Sequence, residues 1–134
     1  MIHVAILKPN YIREILGGTK TIESRLTKTN QPPHGRVEPG ERLFLKASGG
    51  PFMATAVAGE VLSFEGLDPA GVTKIEKKYR RAIGGDDAYW DWKRDSAYAT
   101  LIGIFVYRSL TLRGFITALR ETTTATADIL FVVA

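Results

Sequence analysis

Lys20, Glu23 and Arg25 place three charges within six positions of a segment, residues 19–26, that is otherwise strand-like and holds Thr19, Thr21 and Ile22. An ammonium group can stabilise negative charge that develops on a carbonyl or phosphoryl oxygen. A carboxylate beside it can carry a proton. A guanidinium can hold a phosphate or the edge of a nucleobase. To act as base or nucleophile, Lys20 would need its pKa lowered by burial or by a neighbouring cation such as Arg25. The same residues would also suit the solvent side of an edge strand, where ion pairs are common and weak. In a regular strand Lys20 and Glu23 point to opposite faces, whereas Glu23 and Arg25 share one. All three converge only if Lys20 lies in the turn before the strand or at a bulge.

Two further groups accompany this one. Residues 72–83 hold five basic side chains (Lys74, Lys77, Lys78, Arg80, Arg81) and one acid, Glu76, which equals the +4 net charge of the whole chain. Lys74, Lys77, Lys78 and Arg81 recur at helical spacing, opposite an apolar stripe. They read either as an ordinary solvated face or as a surface for phosphates; the concentration of charge favours the second. In Tyr89-Trp90-Asp91-Trp92-Lys93-Arg94, aromatic residues stand beside basic ones, as base stacking on a single strand requires. Trp90 and Trp92 cannot share a helix face, so one is expected in the core and the other exposed.

Composition narrows the classes. The chain has 134 residues, 45% of them hydrophobic, which fits one domain over 1–134 with its own core. It contains no cysteine, which excludes a disulfide framework, a thiol nucleophile and a thiolate zinc site. No apolar run approaches the ~20 residues of a membrane span, and the N-terminus lacks the pattern of a signal peptide. A cytoplasmic protein without membrane contact is expected. His3 and His34 have no partner at ligand spacing, and Asp86, Asp87 and Asp91 read better as helix-capping acids than as a metal site. No metal or cofactor is expected.

The elements that must position these residues follow from local patterning. Residues 2–8 read as a strand, and 9–16 as a short helix opened by Pro9 and closed by Gly17-Gly18. A second strand is expected over 19–26, followed by a polar loop ending in Glu38-Pro39-Gly40-Glu41, a type II turn. Strands follow over 42–47 and 52–64. Asp68-Pro69 opens a helix whose stripe is Val72, Ile75, Tyr79 and Ile83, stopped by Gly84-Gly85. A short helix over 86–94, a strand over 98–112, an ambiguous stretch over 114–120 and a last strand over 128–133 complete the chain. Thr122, Thr123, Thr124 and Thr126 read as a loop or polar strand entry. Helices do not alternate regularly with strands, so a doubly wound sheet is not expected and a small, partly closed barrel is.

The order of these features resembles the ASCH domain of the PUA-like superfamily. The resemblance rests on a short helix followed by G-x-K-x-x-E-x-R (Gly18, Lys20, Glu23, Arg25) and on Pro39-Gly40-Glu41 leading into Arg42-Leu43-Phe44-Leu45. The opening Ala5 to Pro9 with Tyr11 and Ile12, and the later Tyr89 to Trp92 before an apolar strand, are also similar. It covers roughly the first 47 residues well and the rest loosely. It implies an α+β fold: a PUA-like mixed β-barrel of five to seven strands with flanking short helices and the motif in a cleft. Relatives include RNA-binding regulators, a proposed ribonuclease, and amidohydrolases that deacetylate acetylated cytidine. In the amidohydrolases the motif lysine and a threonine three residues on are catalytic, together with a later glutamate. Lys20 matches the lysine, Glu23 stands where the threonine would be, and Glu60 and Glu76 are candidates for the glutamate.

Three functions follow as expectations. The first is binding of single-stranded RNA or a modified nucleoside by a cleft of Lys20, Glu23 and Arg25, with Lys74, Lys77, Lys78 and Arg81 on phosphates and Trp90 and Trp92 available to stack. The second is a nucleoside or RNA hydrolase, an amidohydrolase or ribonuclease, in which Lys20 and Glu23 are catalytic. The third is a protein-interaction module that docks an acidic partner on the basic helix.

Overall fold

Pro9 ends the first strand and starts the first helix, and the rest of the chain follows from equally local signals. In the computed structural model, residues 2–109 and 127–131 are described, with side chains through Val106. The elements are β1 (Ile2–Leu7), α1 (Pro9–Leu16), β2 (Ile22–Thr27), β3 (Arg42–Ala47), β4 (Phe52–Phe64), α2 (Pro69–Ile83), α3 (Asp87–Lys93), β5 (Tyr98–Ser109) and β6 (Ala127–Phe131). The strands form one mixed sheet in the order β2-β5-β4-β3-β1-β6. β1 runs parallel to β3 and β6, and the other pairings are antiparallel. The sheet is strongly curled into a half-barrel. Register shifts at Leu45/Lys46, Thr55/Ala56 and Ala58/Val61 add local twist along β4. The expected α+β, PUA-like architecture is therefore present, with six strands and three short helices among the described residues. Residues 114–120 and the threonines at 122, 123, 124 and 126 lie outside the described residues.

The helix signals work as their chemistry requires. Asp68 caps α2 by accepting from the Gly71 N–H at 2.7 Å, and Asp86 caps α3 by accepting from the Tyr89 N–H at 2.8 Å. Glu38-Pro39-Gly40-Glu41 closes with a Glu41 N–H to Glu38 carbonyl bond of 3.2 Å and a φ of +88° at Gly40, as a type II turn needs.

Two large cores and a small cluster of Ile2 and Phe44 pack on the sheet. One packs Ile12 and Ile15 of α1 on Leu7, Leu43, Leu45 and Ile102. The other packs Val72, Ile75 and Ile83 of α2 and Trp90 of α3 on Leu26, Ala99 and Leu101. Burying each large aliphatic side chain contributes about 1.5–3 kcal/mol. These contacts fix α1 on β1, β3 and β5, and the α2–α3 junction on β2 and β5.

One boundary differs from expectation. β2 begins at Ile22 rather than at residue 19. The amides of Thr19 and Lys20 donate to the Glu14 carbonyl at 3.0 and 3.1 Å, and that of Thr21 donates to the Ala82 carbonyl at 2.9 Å. The three amides are thus tied to the ends of α1 and α2, and only the Thr21 carbonyl, which accepts from the Ile104 N–H at 2.9 Å, reaches β5, so Lys20 escapes strand alternation.

Candidate functional site

Because Lys20 precedes the strand, its side chain turns toward Glu23. Lys20 Nζ lies 3.8 Å from Glu23 Oε2, and each residue is only 4% exposed. Lys20 Nζ also donates to the Ile22 carbonyl at 2.9 Å and to the Ile83 carbonyl, and it sits 5.4 Å from the centre of the Tyr11 ring. Glu23 Oε1 accepts from the Ser24 N–H at 3.1 Å, while Oε2 is buried without a hydrogen-bond partner. Burial pushes the Glu23 carboxyl above the usual carboxylate range, and Lys20 and the Ser24 N–H only partly oppose this.

Two tyrosines roof this pair. A void of about 10 Å³, close to the minimum for one water, is lined by Tyr11, Lys20, Glu23, Ser24, Tyr89 and the 83–85 backbone. Tyr11, Gly84, Gly85 and Tyr89 also line the cleft above it, which has a volume of about 660 Å³. The cleft adds Lys8, Asn10 and Glu14 from α1 and its approach, and Asp86, Ala88 and Trp92 from around α3. Its volume suits a small ligand. Burial pushes the Tyr89 phenol up to about 12, and burial followed by Glu14, Glu23 and Asp86 raises that of Tyr11. Both hydroxyls therefore keep their protons at neutral pH. The Tyr89 hydroxyl lies 3.4 Å from Ser24 Oγ.

The other sequence candidates separate from one another. Trp92 is 61% exposed on the cleft wall. Trp90 is fully buried, and its indole N–H donates to the Gly84 carbonyl at 3.1 Å. Trp90 therefore cannot offer a face to a base; it holds the glycine turn that walls the cleft. Arg25 is half-buried, donates to Gln31 Oε1 at 3.2 Å, and does not line the cleft. Burial lowers its pKa. Lys74, Lys77, Lys78 and Arg81 lie exposed on α2, and none of them lines the cleft. Neither Glu60 nor Glu76 lines it either: Glu60 is exposed on β4, and Glu76 pairs with Arg80 and Arg94 at 2.7 and 2.8 Å. Among the described residues no group of His, Asp or Glu could hold a metal ion, and no helix is long and apolar enough to cross a membrane.

No protein-family model matches the sequence, and no curated protein matches it either. The structure does find neighbours. The ASCH protein from Zymomonas mobilis superposes with a TM-score of 0.61 at 15% identity, over 92% of this chain and 80% of that one. The fold is that of the ASCH proteins. A DUF984 protein from Enterococcus faecalis V583 gives a TM-score of 0.59 at 11% identity, over 83% and 84% of the two chains. A further solved protein, the hypothetical protein PH0355, gives 0.55 at 18% identity over 79% and 99%.

On this ASCH fold, the sequence motif marks only the floor of the cleft. Asn10, Glu14, Gly84, Gly85 and Asp86 complete its walls and were not singled out by the motif. A signal for two of them existed. Gly84 and Gly85 have φ of +84° and +88°, and a Cβ at Gly85 would lie 2.6 Å from Tyr89 Cδ1. The glycine pair that stops α2 thus also makes room for the tyrosine.

Proposed function

We propose that this ASCH-fold chain binds a nucleobase of single-stranded RNA, or of a modified nucleotide, in the cleft between α1 and α3. The observation that carries the reading is the joining of an aromatic wall to a polar floor. Tyr11, Tyr89 and Trp92 line a cleft of about 660 Å³, with Lys20 and Glu23 beneath it. Stacking on an aromatic side chain contributes about 1–3 kcal/mol per base. The protonated phenols and Asn10 offer donors and acceptors to a base edge. The charge at the rim is mixed, with Lys8 against Glu14 and Asp86. Recognition in the cleft therefore falls to stacking and hydrogen bonding. Beyond the cleft, α2 ends in Ile83 just before the glycine wall, with Arg81 in its last turn. A strand leaving over Arg81 would meet Lys77, Lys78 and Lys74 in succession.

A second reading, hydrolysis of a nucleoside or RNA, is favoured by one feature, the free Oε2 of Glu23. A carboxyl with a raised pKa and an unused oxygen beside a water-sized void is placed to carry a proton. Lys20 as nucleophile is less well supported, because its ammonium already donates to two carbonyls.

Trp92 supplies the test, since Trp90 is buried. The protein is titrated with single-stranded RNA and with nucleoside monophosphates while tryptophan emission is followed, with Trp92→Phe as the control. The ligand is then recovered and weighed by mass spectrometry. Saturable quenching with unchanged ligand is the expected result. Cleaved or deacylated ligand would establish the hydrolase reading, and absence of quenching would overturn both.

A further inference from the structure

Trp92 stands between two cavities. Besides the cleft, it lines a second space of about 290 Å³ bounded by Leu26, Thr27, Lys28, Gln31, Lys93 and Ser96. That space is cationic. Lys93 Nζ lies 3.9 Å from the centre of the Trp92 ring and donates to the Leu26 carbonyl at 3.2 Å. Arg25 borders the same wall through its bond to Gln31, and its Nε is buried without an acceptor. Lys28 is exposed at the rim. Among the described residues no carboxylate lies within 4.0 Å of these three cations. Burial lowers the pKa of both Arg25 and Lys93, and the charge of Arg25 lowers Lys93 further. Arg25 and Lys93 are thus close together and partly dehydrated, and among the described residues none of the three cations has a counter-ion, a state that an anion relieves.

We propose that this space is a phosphate subsite for the backbone beside the base held in the cleft, so that Trp92 separates two consecutive units of one strand. The ligand class is then an oligonucleotide rather than a free nucleoside. The inference rests on the nucleotide reading of the cleft. The exposed tryptophan carries a cation on its ring, as in single-strand grooves that combine stacking with positive charge. The mixed rim of the cleft lacks the basic character that a backbone phosphate needs. The space beyond Trp92 has it.

The experiment compares the free nucleoside with the ribodinucleotide of the same base by isothermal titration calorimetry, at low and moderate salt. The dinucleotide is expected to bind about tenfold more tightly, with the steeper salt dependence. Lys28→Glu is exposed and carries no packing, so its folding is not at issue. It should weaken the dinucleotide about tenfold and leave the nucleoside unchanged. Lys93→Gln should act in the same direction. Equal affinity for the two ligands, or a dinucleotide affinity untouched by Lys28→Glu, would overturn the subsite while leaving the cleft reading standing. If neither ligand binds, the cleft reading fails and the subsite fails with it.

Discussion

Glu23 Oε2 lies 3.8 Å from Lys20 Nζ, yet no hydrogen-bond donor reaches it. A buried ion pair with a spare acceptor is an inefficient way to stabilise a fold. Desolvating two charges offsets most of their attraction, and an apolar pair of similar volume often does as well. Its value lies in what it presents. The pair holds charge and an unfilled acceptor directly under Tyr11 and Tyr89, at the floor of the cleft.

The cost of that arrangement can be measured by breaking it. Lys20→Met leaves Glu23 buried without its cation and frees the Ile22 and Ile83 carbonyls. Denaturant unfolding at neutral pH should show a loss of about 3–5 kcal/mol. The double variant Lys20→Met with Glu23→Leu should recover most of it, because the uncompensated charge is gone. A double variant no more stable than Lys20→Met would show that the pair does not act as a unit.

Stability should depend on pH through Glu23 with a definite sign. Its carboxyl is raised in the folded chain, so the folded state holds the proton over a range where the unfolded state has released it. The contribution is fully present below the ordinary carboxylate pKa and is lost as pH rises through the raised folded value. Each unit of displacement corresponds to about 1.4 kcal/mol. As pH rises above the ordinary carboxylate pKa of about 4, the wild type should lose stability relative to Glu23→Gln. Parallel profiles for the two proteins would contradict this.

Gly84 and Gly85 allow a controlled comparison. Both have positive φ, and Gly84 with a ψ of −156° lies in a region essentially confined to glycine, so alanine at either is strained by about 1–3 kcal/mol. At Gly84 a Cβ meets only Glu14 Oε2, at 3.9 Å, whereas at Gly85 it meets Tyr89 at 2.6 Å and the Trp90 indole nitrogen at 3.2 Å. Gly85→Ala should therefore destabilise the chain further and weaken ligand binding about tenfold more than Gly84→Ala, by displacing Tyr89. Melting curves and titrations of the two variants check this. Equal binding would mean that Tyr89 does not shape the site.

The exposed cations of α2 should matter for strands and not for single nucleotides. With Lys77→Glu and Lys78→Glu together, the slope of log affinity against log salt should fall by about 0.7 for each single-strand phosphate that the helix no longer neutralises. Monophosphate affinity should stay the same. An unchanged slope on a long single strand would remove α2 from the interface.

The fold was largely legible because its signals are local. Pro9, Asp68-Pro69, Asp86 and the turn at Pro39-Gly40 each act on neighbours in the chain, and α1, α2, β3 and β4 run where the pattern predicts. β2 departs because Thr19, Lys20 and Thr21 bond to α1 and α2, which are distant in the alternation rule but adjacent in space. The site was half legible. Lys20 and Glu23 were found by type and spacing, and their convergence followed from the turn that spacing alone left open. Asn10 and Glu14 share a face of α1 at i,i+4 spacing, but Asp86 lies too far away in sequence for any pattern to join it to them. Which of Trp90 and Trp92 is the core residue depends on which side of a two-turn helix meets the sheet, and only packing decides that.

The most direct test of the account is a backbone amide NMR titration with a ribonucleoside monophosphate. Saturable shifts are expected at Asn10, Tyr11, Gly84, Gly85, Tyr89 and Trp92, with β3 unmoved. An unshifted spectrum, or shifts confined to Lys74, Lys77, Lys78 and Arg81 on the outer face of α2, would contradict it; the latter result would instead make the basic helix a docking surface for an acidic partner.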